Sequence, residues 1–321
     1  LVGSEMCIRD RDIILTTPVV AAIKKVFPNS VIHYLTKSYY APLLHHNPYI
    51  DKLITLSSND SLFKLASKLQ KESYHYLIDL HHNIRSNLLR LLIHPEKVIT
   101  TPKRTIARRL LVYLRWHSKK LEPVPELHLS ILQELGIQTG QHSINPQLFL
   151  SKGEKREAEK LGDNLIVMDS RSRWENKKWG LDNYLELAGK LASKGYRVLL
   201  LSEKEKHTKG NIEIMDIADW RKLMVYIYAS RLTVTNDTVS SHIASAFQIP
   251  SIVIFGPTSP DLGFAPSGKN VYIKYSKVKC SPCSVHGGNF CLWGRRCMRG
   301  ISVREVFEDA QRLLQQSGIS G

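Results

Sequence analysis

Four polar clusters in this 321-residue chain hold residue types able to do chemistry. "NDTVSSH" (236–242) sets Asp237 and Thr238 at a helix start, where open backbone N–H groups and the helix dipole favour a phosphate. Asp237 would serve equally well as a plain N-cap. "FGPTSP" (255–260) is a turn with Gly256 and two prolines, offering backbone donors and the hydroxyls of Thr258 and Ser259. Lys178 in "KKWG" (177–180) suits a pyrophosphate, and Glu205 or Glu203 in "SEKEKH" (202–207) suits ribose hydroxyls. One such Lys or Glu is ordinary surface, but the set together points to a nucleoside diphosphate. The chain has no G-x-G-x-x-G and no G-x-x-x-x-G-K-[ST]. That argues against a dinucleotide dehydrogenase and a P-loop NTPase, and leaves a diphosphonucleotide bound as a leaving group.

Other residues stand out in both halves. "DIILTTP" (12–18) reads as a loop acid, Asp12, running into a helix. In "HHNIRSN" (81–87), His81 and His82 can touch acceptor or donor, or be solvated loop residues. Trp174 and Trp179 can stack on a base or pack near a helix start. Cys280, Cys283, Cys291 and Cys297 are spaced C-x2-C-x7-C-x5-C, half of a zinc-ribbon signature with a second pair too wide for it. They are a structural metal candidate or, alternatively, reduced cysteines packing a compact loop; disulfides do not suit a cytosolic protein.

The elements that position these residues alternate between helix and strand period. The first half has a helix over 18–27, with Pro18 in its first turn, and short β-rich runs at 31–35, 52–56 and 74–80. Helical stretches occupy 61–72, 83–93, 103–117 and 126–135, and 137–150 reads as the crossing between halves. The second half repeats the alternation, with strands 164–169, 196–201, 231–236 and 251–255 and helices 181–194, 219–229 and 239–247. Near-continuous apolar strands separated by helices mean parallel sheets covered on both faces. Ligands of such sheets bind beyond the carboxyl ends of the strands, where all four clusters fall.

With 43% hydrophobic residues the chain is a soluble globular protein without a bilayer-spanning run or a secretory signal, and a cytoplasmic location is expected. The formal net charge is +16, and residues 85–120 hold ten Lys/Arg against one acid, Glu96. Such a block attracts nucleic acid, an anionic membrane face or a polyanionic substrate, or is simply a solvated helix face. A nucleic-acid-binding protein would leave the "NDT" and "GPTSP" loops unexplained.

"DIILTTPVVAAIKKVFPNSVIHYLTK", "YHYLIDLHHNIRS", "SRWENKKWGLDNYLELAGKL", "VTNDTVSSHIASAFQIPSIVIFGPTSP" and the cysteine run together resemble the ADP-heptose:lipopolysaccharide heptosyltransferases. These are inverting glycosyltransferases of α/β GT-B architecture, two doubly wound Rossmann-like domains facing a central cleft. The resemblance implies an acceptor-binding domain over 1–150 and a nucleotide-sugar-binding domain over 151–321 that contains the cysteine loop 280–297. It implies transfer of heptose from ADP-heptose, as donor substrate, to Kdo or heptose of the lipopolysaccharide inner core, with no cofactor required. The work would take place as a peripheral protein on the anionic inner face of the cytoplasmic membrane, with a lipid A-core acceptor and no nucleic acid.

By the same resemblance Asp12 stands at the family's general base, Lys178 at the Lys of a K-x-W motif that contacts the diphosphate, and Asp237, Thr238 and His242 at the donor phosphates. Glu205 is the expected ribose partner, and Arg85 and His81 are the expected acceptor contacts. Three departures bear on this: Val239 replaces a Gly, "DSR" (169–171) replaces a small "PGA", and Arg11 replaces the Gly before the acid. The first two leave open a related GT-B transferase using another nucleotide sugar. Residues 1–11, "LVGSEMCIRDR", offer no apolar run for a central strand and resemble a translated sequencing adapter. They are expected to be non-native, which leaves open a catalytically impaired ADP-binding homologue.

Overall fold

The computed structural model describes residues 2–3, 10–57, 59–114, 120–203 and 207–318. It divides into two compact units, Leu1–Arg104 with Val124–Phe149, and Thr105–Pro123 with Leu150–Gly321.

The first unit contains β1 (Val2–Gly3), α1 (Asp10–Val26), β2 (His33–Lys37), β3 (Lys52–Leu56), α2 (Leu62–Gln70), β4 (Tyr76–Asp79), α3 (Ile84–Ile93) and β5 (Lys97–Thr100). Its sheet has the order β3-β2-β1-β4-β5, and every pairing is parallel. The central place belongs to β1, with Val2 in register with Tyr34 on one side and Ile78 on the other. This corrects the expectation that residues 1–11 supply no strand, as far as Val2 and Gly3 are concerned; residues 1 and 4–9 lie outside the described residues.

The first helix also starts earlier than its sequence suggests. Asp12 lies in the first turn of α1, not in a loop, and Pro18 lies inside the helix, not at its start. Two neighbours make this tolerable. Pro18 has no N–H for the carbonyl of Ile14 four residues back, and the Thr17 hydroxyl donates to that oxygen at 2.8 Å instead. Thr16 does the same for Ile13 at 2.7 Å. Ile13, Val19, Val20 and Ile23 then bury one face of α1 against Tyr34, Ile78 and Leu132.

In the second unit, α4 (Thr105–Tyr113) is followed after the first unit's α5 (Val124–Ser130) by α6 (Lys152–Lys160), β6 (Leu165–Asp169), α7 (Leu181–Ala192), β7 (Arg197–Leu201), β8 (His207–Lys209) and β9 (Ile212–Met215). Then come α8 (Trp220–Tyr228), β10 (Leu232–Asn236), α9 (Val239–Ala246), β11 (Ser251–Phe255), β12 (Val271–Tyr275), α10 (Arg296–Arg299) and α11 (Val303–Gly318). The seven-stranded sheet runs β12-β11-β10-β6-β7-β9-β8, parallel except for the β8–β9 hairpin. Strands β6, β10 and β11 are buried along their whole length, which places β6 and β10 at the sheet's centre. Leu187, Leu191, Val306 and Leu313 of α7 and α11 close one face.

Candidate donor and acceptor sites

In the second unit three loops leave the carboxyl ends of β6, β10 and β11 and meet on one carboxylate. Asp237, 2% exposed, follows β10. Its Oδ2 accepts from Lys177 Nζ at 2.5 Å and from Thr258 Oγ1 at 2.9 Å, and Lys177 also donates to the Asp237 carbonyl. One residue earlier, at the end of β10, the Asn236 side chain accepts from Trp179 N at 3.2 Å and donates to the carbonyl of Ser170 at 3.1 Å. Loops that would otherwise move independently are thereby pinned around the start of α9, which Thr238 caps with extended backbone and no side-chain cap bond. The N–H groups of that turn are of the kind that can receive an anion.

Several side chains of this edge lie elsewhere than their spacing predicts. Lys178 does not enter the network: its ammonium lies 2.5 Å from Glu175 and 3.4 Å from Glu203, which raise its pKa against the lowering effect of burial. The buried lysine is Lys177, and the signal was available, because K-x-W counted back from Trp179 lands on Lys177. Asp237 faces the protein as a hub. Ser259, 2% exposed, spends its hydroxyl on Asp261 at 3.0 Å. His242 is fully buried within α9. Glu203 is exposed beside Lys178, and Glu205 lies outside the described residues. Trp179 is core, its indole N–H donating to the Ile301 carbonyl at 2.9 Å.

The departures at 169–171 and 239 form structure of their own. Asp169, 2% exposed, accepts from Arg171 Nε at 2.9 Å and from Ser240 Oγ at 2.5 Å, while Arg171 Nη1 reaches Asp216 at 2.8 Å. "DSR" thus ties β6 to α9 and to the segment after β9. Val239 is buried at the first position of α9.

The cysteine loop acts as a clasp. Cys283 N and Ser284 N both donate to the Pro257 carbonyl at 3.0 Å, and Gly288 N donates to Asn176 Oδ1 at 2.8 Å. The loop therefore joins the 256–259 turn to the Lys177 loop. Gly287 has φ +99°, and a Cβ there would lie 2.8 Å from Trp174, so the Trp174 ring is used in packing. Burial, reinforced by the other three thiols, pushes Cys297 up to about 11. Among the described residues no group of three or more His, Cys, Asp or Glu is placed to hold a metal ion.

The first unit gathers its own polar residues at the carboxyl end of β4. Asp79, 2% exposed, turns the chain by accepting from His81 N at 3.0 Å and His82 N at 2.7 Å, and His82 takes a left-handed φ of +47°. Asp12 Oδ1, Asp79 Oδ2 and His81 Nε2 are buried without a hydrogen-bond partner, although Arg11 Nε lies 3.6 Å from Asp12. Buried polar atoms left in this condition mark a place where a ligand or solvent completes the bonding. Burial lowers the His81 pKa despite the opposing charges of Asp12 and Asp79, so the ring is a neutral imidazole near pH 7. A carboxylate beside a neutral imidazole can orient a hydroxyl and take its proton. Arg85 is exposed on the first turn of α3.

A family model described as Glycosyltransferase family 9 (heptosyltransferase) matches residues 62–292. The chain belongs to glycosyltransferase family 9. Lipopolysaccharide heptosyltransferase 2 of Salmonella typhimurium is 22% identical over 358 aligned positions, covering 96% of this chain and 97% of that protein. The solved E. coli ADP-heptose lps heptosyltransferase II matches with a TM-score of 0.77 at 20% identity, over 99% of this chain and 98% of that one. E. coli heptosyltransferase WaaC with ADP matches with a TM-score of 0.69 at 16% identity, over 97% and 98% of the two chains. The fold of this family 9 glycosyltransferase is GT-B.

Proposed function

We propose that this family 9 enzyme moves heptose from ADP-heptose to a hydroxyl of the lipopolysaccharide inner core, Kdo or heptose, with inversion. The acceptor oxygen bonds to the anomeric carbon as that carbon's bond to the β-phosphate oxygen breaks. The acceptor proton passes to Asp12, and ADP leaves with the electron pair. General-base help of this kind contributes about 10²–10⁴ in rate. On the donor side, Lys177 neutralises Asp237, so a diphosphate approaching the start of α9 does not meet a bare carboxylate. The N–H groups of that turn then receive the charge that develops on ADP.

The observation that carries this reading is the convergence of the 177, 237 and 258 loops on the start of α9, in a chain of the heptosyltransferase family. The test is transfer from ADP-heptose to a panel of truncated lipopolysaccharides, read by mass, with UDP- and GDP-sugars in parallel. Product from ADP-heptose alone supports the reading. Product only from another nucleotide sugar favours the second reading, motivated by the Asp169–Arg171–Ser240 network where the family has small residues.

The same reading places the enzyme at the anionic inner face of the cytoplasmic membrane. Its support is the +16 formal charge and the nature of a lipid-linked acceptor. Among the described residues no helix is long and apolar enough to cross a membrane.

A further inference from the structure

Two helices that follow one another in the sequence each carry an unusual outer stripe. In α3 the buried side is Ser86, Leu89 and Ile93, packed on the first unit's core. Its opposite side should be polar, yet Ile84, Leu88 and Leu91 stand there 87%, 37% and 69% exposed, at the i, i+4, i+7 spacing of one helical stripe. In α4 the buried residues are Leu111 and Val112. Arg108 joins them on that side, its guanidinium 4.2 Å from the Phe264 ring centre. Opposite lie Ile106, Leu110, Tyr113 and Leu114, 75%, 45%, 78% and 63% exposed, with the same spacing.

A helix that is apolar on both sides is ordinarily buried on both. Here each outer stripe is bordered by cations: Arg85 on α3, Arg109 on α4, and Lys103 and Arg104 just before α4, all exposed. The only acid between residues 85 and 120 is Glu96, so the stretch is strongly basic in sequence. Apolar residues rimmed by Lys and Arg, with acids nearly absent, match the interfacial region of an anionic bilayer. Side chains enter the headgroup–acyl boundary while the cations meet the phosphates. A protein partner with an acidic surface would match the cations and leave the stripes without apolar cover.

We infer that the outer stripes of α3 and α4 are interfacial anchors that seat this enzyme on an anionic lipid surface. The inference rests on the membrane placement given under the proposed function, and it names the residues that enter the lipid. Each stripe acts from its own helix, and no bilayer is crossed.

The test is co-sedimentation of the full chain with vesicles of phosphatidylcholine alone or of phosphatidylcholine with phosphatidylglycerol. Binding is expected only with phosphatidylglycerol and is expected to weaken as salt rises. Ile106→Asp with Tyr113→Asp should weaken binding by about tenfold or more, and Ile84→Asp with Leu91→Asp should do the same. These side chains are already in water, so the variants should keep the parent's melting temperature. They should also keep its transfer rate to a deacylated, water-soluble acceptor. Equal binding by parent and both stripe variants overturns the inference, as does equal binding to both vesicle types. A stripe variant that turns a dimer into a monomer without changing vesicle binding overturns it in favour of a second copy of the chain. Failure to transfer heptose to the deacylated acceptor would count against the proposed function and leaves the vesicle result to be read by itself.

Discussion

The Lys177 ammonium lies 2.5 Å from the Asp237 carboxylate, with the two side chains 7% and 1% exposed. This pair, completed by the Thr258 hydroxyl on the same oxygen, joins the loops that follow β6, β10 and β11. Lys178, next in the chain, faces Glu175 and Glu203 at the surface. Two adjacent lysines therefore do different work: one holds together the loops after β6, β10 and β11, and the other is a surface ion pair.

Replacing Lys177 with Ala leaves Asp237 as a buried, uncompensated charge, at a cost of about 3–5 kcal/mol. The variant should melt well below the parent and lose ADP binding by isothermal titration. Lys178→Ala removes only surface pairs, worth about 0–1 kcal/mol, and should melt and bind ADP nearly as the parent does. Equal effects from the two substitutions would mean that the pair does not organise the edge.

Gly256 is required by what lies over it. A Cβ at this position would collide with the Met298 thioether and come within 3.3 Å of Cys297 Sγ. Gly256→Ala should destabilise by about 1–3 kcal/mol through overpacking and raise the KM for the nucleotide sugar by displacing the 256–259 turn. Met298→Ala makes room, so the double variant should recover part of both losses. Denaturant melts and initial rates on the three variants check this.

Much of this architecture is legible from residue pattern, because the buried strands of a parallel sheet are near-continuous apolar runs. Ser251–Phe255 matches its run residue for residue, and so does the edge strand Lys52–Leu56, although only Ile54 and Leu56 of it are buried. Elements without that signal are invisible to it. Helix α6, "KGEKREAEK", buries only Ala158 and is specified by the Ser151–Glu154 capping box. The edge strand β12, "VYIKY", is only partly buried and blends with its loops. At the site, pattern reaches the loops but not the side-chain directions within them. Spacing alone cannot say that Asp237 turns inward, and the start of α1 depends on the Thr17 hydroxyl standing in for the amide that Pro18 lacks.

The capping box of α6 also gives the fold an acid limit. Glu154 is pulled down to about 2, chiefly by its hydrogen bonds from Arg221 and also by the Ser151 amide. Its carboxyl binds protons more weakly folded than unfolded, so its contribution is complete above the ordinary value near 4.5 and fades as pH falls towards 2. Urea melts of the parent should therefore lose stability from about pH 4.5 down to about pH 3. Glu154→Gln, weaker at neutral pH, should lose less over the same interval. Parallel loss in the two proteins would assign the acid limit to other carboxylates.

On the proposed mechanism Asp12 and His81 divide the proton work at the acceptor end. Asp12→Asn keeps the shape but cannot accept a proton, so kcat should fall by about 10²–10⁴ while ADP affinity, which the proposal assigns to the second unit, stays unchanged. His81 is neutral near pH 7 because burial outweighs the attraction of Asp12 and Asp79. Below its lowered pKa it becomes a cation beside Asp12 and makes that carboxylate a weaker base. The parent's kcat should therefore decline on the acid side as the imidazole gains its proton. His81→Gln can still hydrogen-bond but cannot titrate, so it should keep much of the neutral-pH rate and lose the imidazole's share of the acid decline. An unchanged acid limb in His81→Gln would remove the imidazole from the pH dependence. Full activity in Asp12→Asn would remove the base from the mechanism altogether.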